Sequence, residues 1–238
     1  MVCNWLSVPP DRLVFSEPFF LRPANSRLLR IQLDQWSMGV TDEEWEERPS
    51  EDARARFERL LAPRLAGRRW GLKEVVAEEH RKVLDELKPA KLVICVRDIV
   101  DVALSFFEKH RAQNNLDRFS DEWVSAYCLR ESRALARLRE EAGADGLPTY
   151  VLRYEDFTIS EGSRRELERF LGWPGGGNVA AGLAQFGRAF ELERHGSSIS
   201  NDARGRAERE VPAALRLEAE LLGEQCAAYQ KIFGYAAG

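Results

Sequence analysis

The chain has 238 residues, of which 44% are hydrophobic and 31% charged, and its formal net charge at pH 7 is −4. This composition is that of an ordinary globular protein, and the length suits a single domain with one substantial core over residues 1–238. The negative net charge excludes general binding to nucleic acid. Any phosphate contact must therefore come from a local arrangement of residues.

Three short segments have the apolar composition of buried strands: "RLVFS" (12–16), "KLVICVR" (91–97) and "TYVLRY" (149–154), with "WGLKEV" (70–75) as a weaker fourth. Each is followed by a segment in which apolar residues recur at helical spacing. This alternation predicts an α/β protein with a parallel sheet flanked by helices on both faces. Ligands of such sheets bind beyond the carboxyl ends of the strands.

Two long polar stretches, residues 34–56 and 187–212, interrupt this alternation. We expect them to form lids or binding loops, or to be disordered.

The four cysteines lack the short paired spacing of a zinc site or a disulfide framework. We expect Cys95, in an apolar strand, and Cys226, on a helix face, to be buried thiols. No apolar run reaches membrane-spanning length and no signal peptide is visible, which predicts a cytoplasmic protein without membrane contact.

The segment "KLVICVRDIVDVALS" (91–105) carries the strongest functional signal. Arg97 ends the strand, Asp98 is a favourable N-cap for a helix beginning near Ile99, and Ser105 falls in the second turn of that helix. A guanidinium fork suits phosphate, a hydroxyl adds a hydrogen bond, and a helix N-terminus favours an anion. The alternative is an arginine paired with a carboxylate and a serine bonded to its own helix.

The segment "VRDIVDVALS" (96–105) resembles the 3′-phosphate-binding segment of the sulfotransferases that use 3′-phosphoadenosine 5′-phosphosulfate (PAPS). Other segments that resemble this family follow in its order: "PDRLVFSEPFF" (10–20), "WGLKEV" (70–75), "VLRYEDF" (151–157), "FLGWP" (170–174) and "CAAYQKIFGY" (226–235). The resemblance covers about residues 9 to 235 and implies a P-loop NTPase-like sulfotransferase fold.

The start of the chain departs from the family pattern. The family's first strand leads into a basic, Ser-Gly-Thr-type loop that holds the 5′-phosphosulfate, whereas "MVCNWLSVPPD" (1–11) fits only the end of the helix that follows. We expect either that the protein begins upstream or that it lacks the first strand and half of the donor site.

The resemblance also implies roles for individual residues. Glu17, after the second family strand, matches the proposed general base of the glycan and tyrosine branches, and Lys73 matches a lysine that offsets charge on the transferring sulfonate. Val75 stands where cytosolic members have a catalytic histidine, so Glu17 or Glu74 takes the place of that base. A strand-end carboxylate and a surface lysine are the alternatives for Glu17 and Lys73.

The late segment "RHGSSISNDARGR" (194–206) resembles a loop that covers the nucleotide in this family. Its candidate phosphate contacts are Arg194, Ser198, Ser200 and Arg204, and a disordered polar loop is the alternative. His80 and His110, on charged segments, are predicted to be solvated.

Several aromatic and acidic residues are predicted to lie near strand ends. We expect Tyr154, Glu155 and Asp156 to organise the end of the sheet. The aromatic residues near residues 34–56 suit either an acceptor or the core, and they are Phe19, Phe20, Trp36 and Trp45.

The implied activity is transfer of a sulfuryl group from PAPS to a hydroxyl of a carbohydrate or small metabolite, without a metal. The second hypothesis is an inactive nucleotide-binding or interaction module. A phosphotransferase is disfavoured because the sequence contains no G-x-x-x-x-G-K-[ST] segment.

Overall fold

The computed structural model describes residues 2–18, 21, 27–46, 48–173 and 209–235. By their contacts these residues form two compact units. The first unit holds the described residues up to 89 and from 161 to 173, and the second holds those from 90 to 160 and from 209 to 235. The single domain over 1–238 stays a prediction.

The first unit contains two strands and seven helices among its described residues. In chain order they are α1 (Val2–Leu6), β1 (Arg12–Ser16), α2 (Arg27–Gln35), α3 (Asp42–Trp45), α4 (Ala53–Leu60), α5 (Ala62–Leu65), β2 (Arg69–Lys73), α6 (His80–Leu87) and, later in the chain, α10 (Glu161–Leu171), with a 3₁₀ turn at Ala77–Glu79.

The second unit contains two strands and five helices among its described residues. They are β3 (Leu92–Val96), α7 (Ile99–Ala112), α8 (Asp121–Ala144), β4 (Thr149–Arg153), α9 (Tyr154–Ile159), α11 (Ala213–Gln225) and α12 (Ala227–Ile232).

The described residues of each unit form one two-stranded parallel sheet. β1 pairs with β2 from Arg12↔Arg69 to Ser16↔Lys73, and β3 pairs with β4 from Leu92↔Thr149 to Val96↔Arg153. Helices form the connection inside each pair, as parallel strands require. The chain is therefore a mixed α/β protein with two small parallel sheets flanked by helices. All four predicted strands are confirmed, but the single sheet expected for them is not found among the described residues, because β1 and β2 pair only with each other, as do β3 and β4.

The first unit buries its core between β1 and the helices that connect β1 to β2. Leu13 and Phe15 of β1 are fully buried, and Phe15 meets Trp36 edge to face with ring centroids 4.8 Å apart. Of the two roles expected for Trp36, contact with an acceptor or packing in the core, the structure therefore shows packing in the core. Phe19 and Phe20 lie outside the described residues.

The second unit is organised around α7, which packs against both α8 and α11. The buried stripe of α7 includes Ala103, Leu104 and Phe107. At Gly223 the backbone of α11 comes so near to α7 that a Cβ atom there would lie 2.8 Å from Cγ2 of Val100. The glycine is thus required by the approach of the two helices.

Two further predictions about the fold differ from the structure. Residues 34–56 contain α3 and the start of α4, because Thr41 and Glu44 form a capping box and Asp52 caps α4. Cys95 is exposed, whereas its neighbours Ile94 and Val96 are buried, so the prediction of a buried thiol there is wrong. The β3 side chains alternate between a buried and an open face. The buried thiol of Cys226 is confirmed.

Within the described ranges, no helix combines the length and the apolar character that a bilayer crossing requires. Of the stretch 187–212, only residues 209–212 are described.

Candidate functional site

In the first unit, Glu17 and Lys73 lie together at the carboxyl edge of the sheet. Lys73 is the last residue of β2, and Glu17 directly follows the β1 residue that pairs with it. The backbone amide of Glu17 donates to the Lys73 carbonyl at 2.7 Å, and the Lys73 ammonium donates to Oε1 of Glu17. The two side chains, 36% and 38% exposed, form an ion pair that water still reaches.

The backbone around Glu17 is held in an unusual conformation. Its φ of +53° lies in the left-handed region, which costs a non-glycine residue on the order of 1–3 kcal/mol. The fully buried Gln32 stabilises the preceding residue, because its side-chain amide accepts from the Ser16 N–H and donates to the Ser16 carbonyl, both at 2.8 Å. Gln32 thus continues the hydrogen bonding of β1 where the sheet ends.

Cys3 is a neighbour of this edge that the sequence did not reveal. Burial raises the pKa of its thiol, while the nearby Lys73 ammonium acts in the opposite direction. The contact depends on where α1 packs, so spacing alone could not have predicted it.

In the second unit, Arg97 follows the last residue of β3. Its guanidinium carbon lies 4.9 Å from the centroid of the Tyr154 ring, an arrangement in which the aromatic face supports the cation. Across the described residues Arg97 makes no ion pair, and its Nε is buried without a hydrogen-bond partner. The arginine paired with a carboxylate, the alternative from the sequence, is therefore not found in this part of the chain.

Ser105 lies on α7, six residues after Ile99 and so about 9 Å further along the helix axis. Its side chain is half-buried, and it bonds to none of the described residues, including the carbonyls of its own helix. No hydrogen bond joins it to Arg97. A single ligand held by both side chains would therefore have to bridge them.

The predicted cap of this helix is confirmed, with a consequence for anion binding. The Asp98 carboxylate accepts from the amides of Val100 at 2.9 Å and Asp101 at 3.4 Å. These amides already donate to a negatively charged group, so the Asp98 carboxylate uses most of the hydrogen bonding and favourable potential that the helix N-terminus could offer a ligand. An anion at this turn depends on side chains.

Three further side chains fix the strand-to-helix turn, and we call Glu155, Tyr229 and Tyr235 the C-terminal clamp. The Tyr229 hydroxyl donates to the Arg97 carbonyl at 2.9 Å. Glu155 accepts from the Asp98 amide at 3.1 Å and from the Tyr235 hydroxyl at 2.7 Å. Asp156, which was expected to organise the end of the sheet, forms a 3.7 Å ion pair with Arg153.

The two histidines were predicted to be solvated, and for His110 this is wrong. Its side chain is 5% exposed and stacks between Phe106 and Phe119, with ring centroids 5.6 and 4.4 Å away. Neither ring nitrogen has a partner in the described part of the chain, and burial lowers the pKa of the imidazole. His80 is half-buried, and burial lowers its pKa as well.

The remaining candidates, Arg194, Ser198, Ser200 and Arg204, lie outside the described residues. Among the residues that are described, no three His, Cys, Asp or Glu side chains converge in a way that could hold a metal ion. Comparison with known family models, curated proteins and solved structures finds no match for this chain.

Proposed function

We propose that this protein is a sulfotransferase of the PAPS-dependent type, which moves a sulfuryl group from PAPS to a hydroxyl of a carbohydrate or a small metabolite. One observation carries the proposal. A half-buried arginine stands at the carboxyl end of a parallel strand without a partner carboxylate among the described residues, and a serine without a hydrogen-bond partner there lies on the helix that follows.

Arg97 and Ser105 take the role of holding the 3′-phosphate of the nucleotide. The planar guanidinium fork matches two phosphate oxygens, and Tyr154 supports its other face. The Ser105 hydroxyl gives one more hydrogen bond. The amides of Val100 and Asp101 already donate to the Asp98 carboxylate. The selectivity for a phosphate therefore comes from the side chains of Arg97 and Ser105.

Glu17 and Lys73 take the roles of base and cation in the transfer. The acceptor oxygen forms a bond to sulfur as the bond from sulfur to the 5′-phosphate oxygen breaks, and that oxygen keeps the electron pair. Glu17 accepts the hydroxyl proton, and Lys73 offsets the charge on the sulfonate and leaving oxygens. Oε1 of Glu17 contacts Lys73, whereas Oε2 has no partner among the described residues.

The proposal includes the P-loop NTPase-like sulfotransferase fold and phosphate contacts from Arg194, Ser198, Ser200 and Arg204. It also includes a cytoplasmic location. None of the four cysteines forms a disulfide, which suits a reducing compartment.

A second candidate is an inactive nucleotide-binding or interaction module. The contact between Glu17 and Lys73 favours it, because a base and a cation that satisfy each other can serve the structure alone. Asp98, whose carboxylate occupies the first amides of α7, also favours it.

The test is thermal unfolding with the product nucleotide, 3′-phosphoadenosine 5′-phosphate (PAP). A ligand that binds only the folded state raises the melting temperature, so PAP raises it for the wild type and ATP does not. Arg97→Ala abolishes most of this rise, while Glu17→Gln keeps it. Equal loss in both variants contradicts the division of roles.

Turnover separates the two candidates. PAP release from PAPS is measured with a panel of carbohydrate and small hydroxyl acceptors. The enzyme releases PAP with at least one acceptor and loses this activity in Glu17→Gln. Binding of PAP without release for any acceptor supports the inactive module.

A further inference from the structure

The peptide group that joins Arg97 to Asp98 is bonded on both sides. Its carbonyl accepts from the Tyr229 hydroxyl, and its N–H donates to Oε1 of Glu155. A peptide group is a rigid plane, so fixing both of its polar ends fixes ψ of Arg97 and φ of Asp98 together. This plane sets the direction in which the Arg97 side chain leaves the strand.

Tyr235 completes the arrangement from the end of α12. Gly234, with φ of +73°, ends the helix in a Schellman motif, in which the Tyr235 amide donates to the Gln230 carbonyl at 2.7 Å. The chain thereby turns back, and the Tyr235 hydroxyl donates to Oε2 of Glu155 at 2.7 Å. Each carboxylate oxygen of Glu155 thus has its own donor.

The clamp residues are themselves held by packing. Tyr229 and Tyr235 are buried, their rings lie parallel with centroids 6.3 Å apart, and the Arg153 guanidinium covers Tyr235 at 4.5 Å. Burial raises the pKa of both phenols, so both hydroxyls keep the protons that they donate. Such a network is more rigid than any of its single bonds.

We propose that the C-terminal clamp of Glu155, Tyr229 and Tyr235 positions Arg97 for the phosphate, and that these three are positioning residues for the anion site. This inference rests on the proposed function, because it takes the 3′-phosphate as the ligand of Arg97. None of the three needs to touch the nucleotide. They act by holding the peptide group from which the guanidinium is directed.

The experiment compares nucleotides with and without the 3′-phosphate. Tyr229→Phe and Tyr235→Phe each remove one hydroxyl and keep the ring, so the core survives, and Tyr127→Phe on α8 is the matched control. Dissociation constants are measured for PAP and for adenosine 5′-phosphate. Each clamp variant raises the dissociation constant of PAP about fivefold, which corresponds to the loss of about one hydrogen bond. The dissociation constant of adenosine 5′-phosphate stays unchanged.

If the clamp had a merely structural role, its variants would weaken the binding of both nucleotides alike. The clamp also predicts that Tyr229→Phe costs nothing more in an Arg97→Ala background, since its effect passes through Arg97. If Arg97→Ala weakens PAP binding while both tyrosine variants bind PAP as tightly as the wild type, the inference is overturned and the proposed function stands.

A measurement without nucleotide separates the remaining outcomes. The Arg97 Nε–H resonance and the exchange rate of the Asp98 amide are followed by NMR while inorganic phosphate is added. In the wild type the Asp98 amide exchanges slowly and the Arg97 signal shifts with phosphate. In Glu155→Ala the amide exchanges faster and the shift weakens.

If the wild type does not bind PAP but shows this phosphate response, the proposed function fails and the clamp stands. If the Arg97 signal responds to neither ligand, both fail.

Discussion

The chain leaves the sheet at the end of β1 in the first unit and at the end of β3 in the second, and the two turns that follow are stabilised differently. In the first unit, Glu17 is strained, but its charge is met by Lys73 and the backbone before it by Gln32. In the second unit, the backbone after Arg97 is held by the C-terminal clamp, and the Arg97 charge has no counter-ion among the described residues. A binding site for an anion requires a fixed backbone and a cation without a counter-ion. An ion pair such as that of Glu17 and Lys73 suits proton transfer or a structural role instead.

The largest effect is expected where the first unit depends on a single side chain. Gln32→Leu keeps the volume but leaves the Ser16 N–H and carbonyl without partners, which should lower the free energy of unfolding by about 2–4 kcal/mol. Urea denaturation measures it. Gln113→Ala, at the exposed C-cap of α7, is the control and should change little. A loss below about 0.5 kcal/mol for Gln32→Leu would show that water replaces both bonds.

The next effect tests how α11, which leads into the clamp, lies on α7. Gly223→Ala places a Cβ 2.8 Å from the stiff Val100 side chain and should destabilise the protein by about 1–3 kcal/mol, although alanine is the better helix former. Gly143→Ala in α8 meets only Arg139 Nη1 at 3.7 Å and should stabilise it by about 0.5–1 kcal/mol.

Denaturant unfolding of both alanine variants and of Val100→Ala/Gly223→Ala gives the answer. The double variant should cost less than the sum of its parts, because Val100→Ala removes the clash. Strict additivity would exclude the clash as the cause.

Acid should act on both units, because burial lowers the pKa of His80 in the first unit and of His110 in the second. Since burial holds the pKa of His110 below its usual 6.5, the unfolded chain takes up the proton first as the pH falls through about 6.5, and stability declines below that pH. The neighbouring Lys109 ammonium lowers the pKa of the imidazole further, because it opposes a second positive charge nearby.

His110→Phe fits between Phe106 and Phe119 and removes two buried polar atoms without partners. It should raise the free energy of unfolding at pH 7.5 by about 1 kcal/mol and flatten the acid decline. His80→Gln in the first unit is the comparison, and the pH dependence of unfolding of all three proteins decides. An acid decline in His110→Phe as steep as in the wild type would place the cause elsewhere.

The smallest effects concern two residues in the left-handed region, Lys88 after α6 and Glu17 after β1. Lys88→Gly, at φ +46°, should stabilise the protein by about 0.5–1 kcal/mol, because glycine accepts the left-handed region freely. Glu17→Gly gains the same relief but loses the exposed Lys73 pair, worth about 0–1 kcal/mol, so its net gain should be smaller. Melting temperatures compare the two. A larger gain for Glu17→Gly would mean that the ion pair opposes folding.

The local features of the fold were readable from the sequence. Runs such as "RLVFS" and "LVICV" predicted the strands, and Asp98 predicted the start of α7 correctly. His110 was missed because its charged neighbours outweighed the spacing from Ala103 through Phe107, which places it on the buried stripe. The capping box at Thr41 was an overlooked signal of the same local kind.

The long-range features were not readable. The Tyr229 hydroxyl reaches a carbonyl 132 positions earlier, and Tyr235 reaches a carboxylate 80 positions earlier. No pattern within a window of one element encodes such pairs, because they follow from how α11 and α12 pack on α7 and α8. For the same reason, the sequence could nominate Arg97 but could not show that none of the described carboxylates forms an ion pair with it.

The separation of Tyr229 from Arg97 has a consequence for synthesis. A ribosome releases Arg97 into solution well before it has translated the tyrosine that fixes the adjoining peptide group. A nascent chain would therefore present an undirected guanidinium until the segment that carries Tyr229 and Tyr235 has been translated and has folded. A stop codon just before Tyr229 would leave β3 and α7 in place but would remove both tyrosine hydroxyls that stabilise the turn after Arg97.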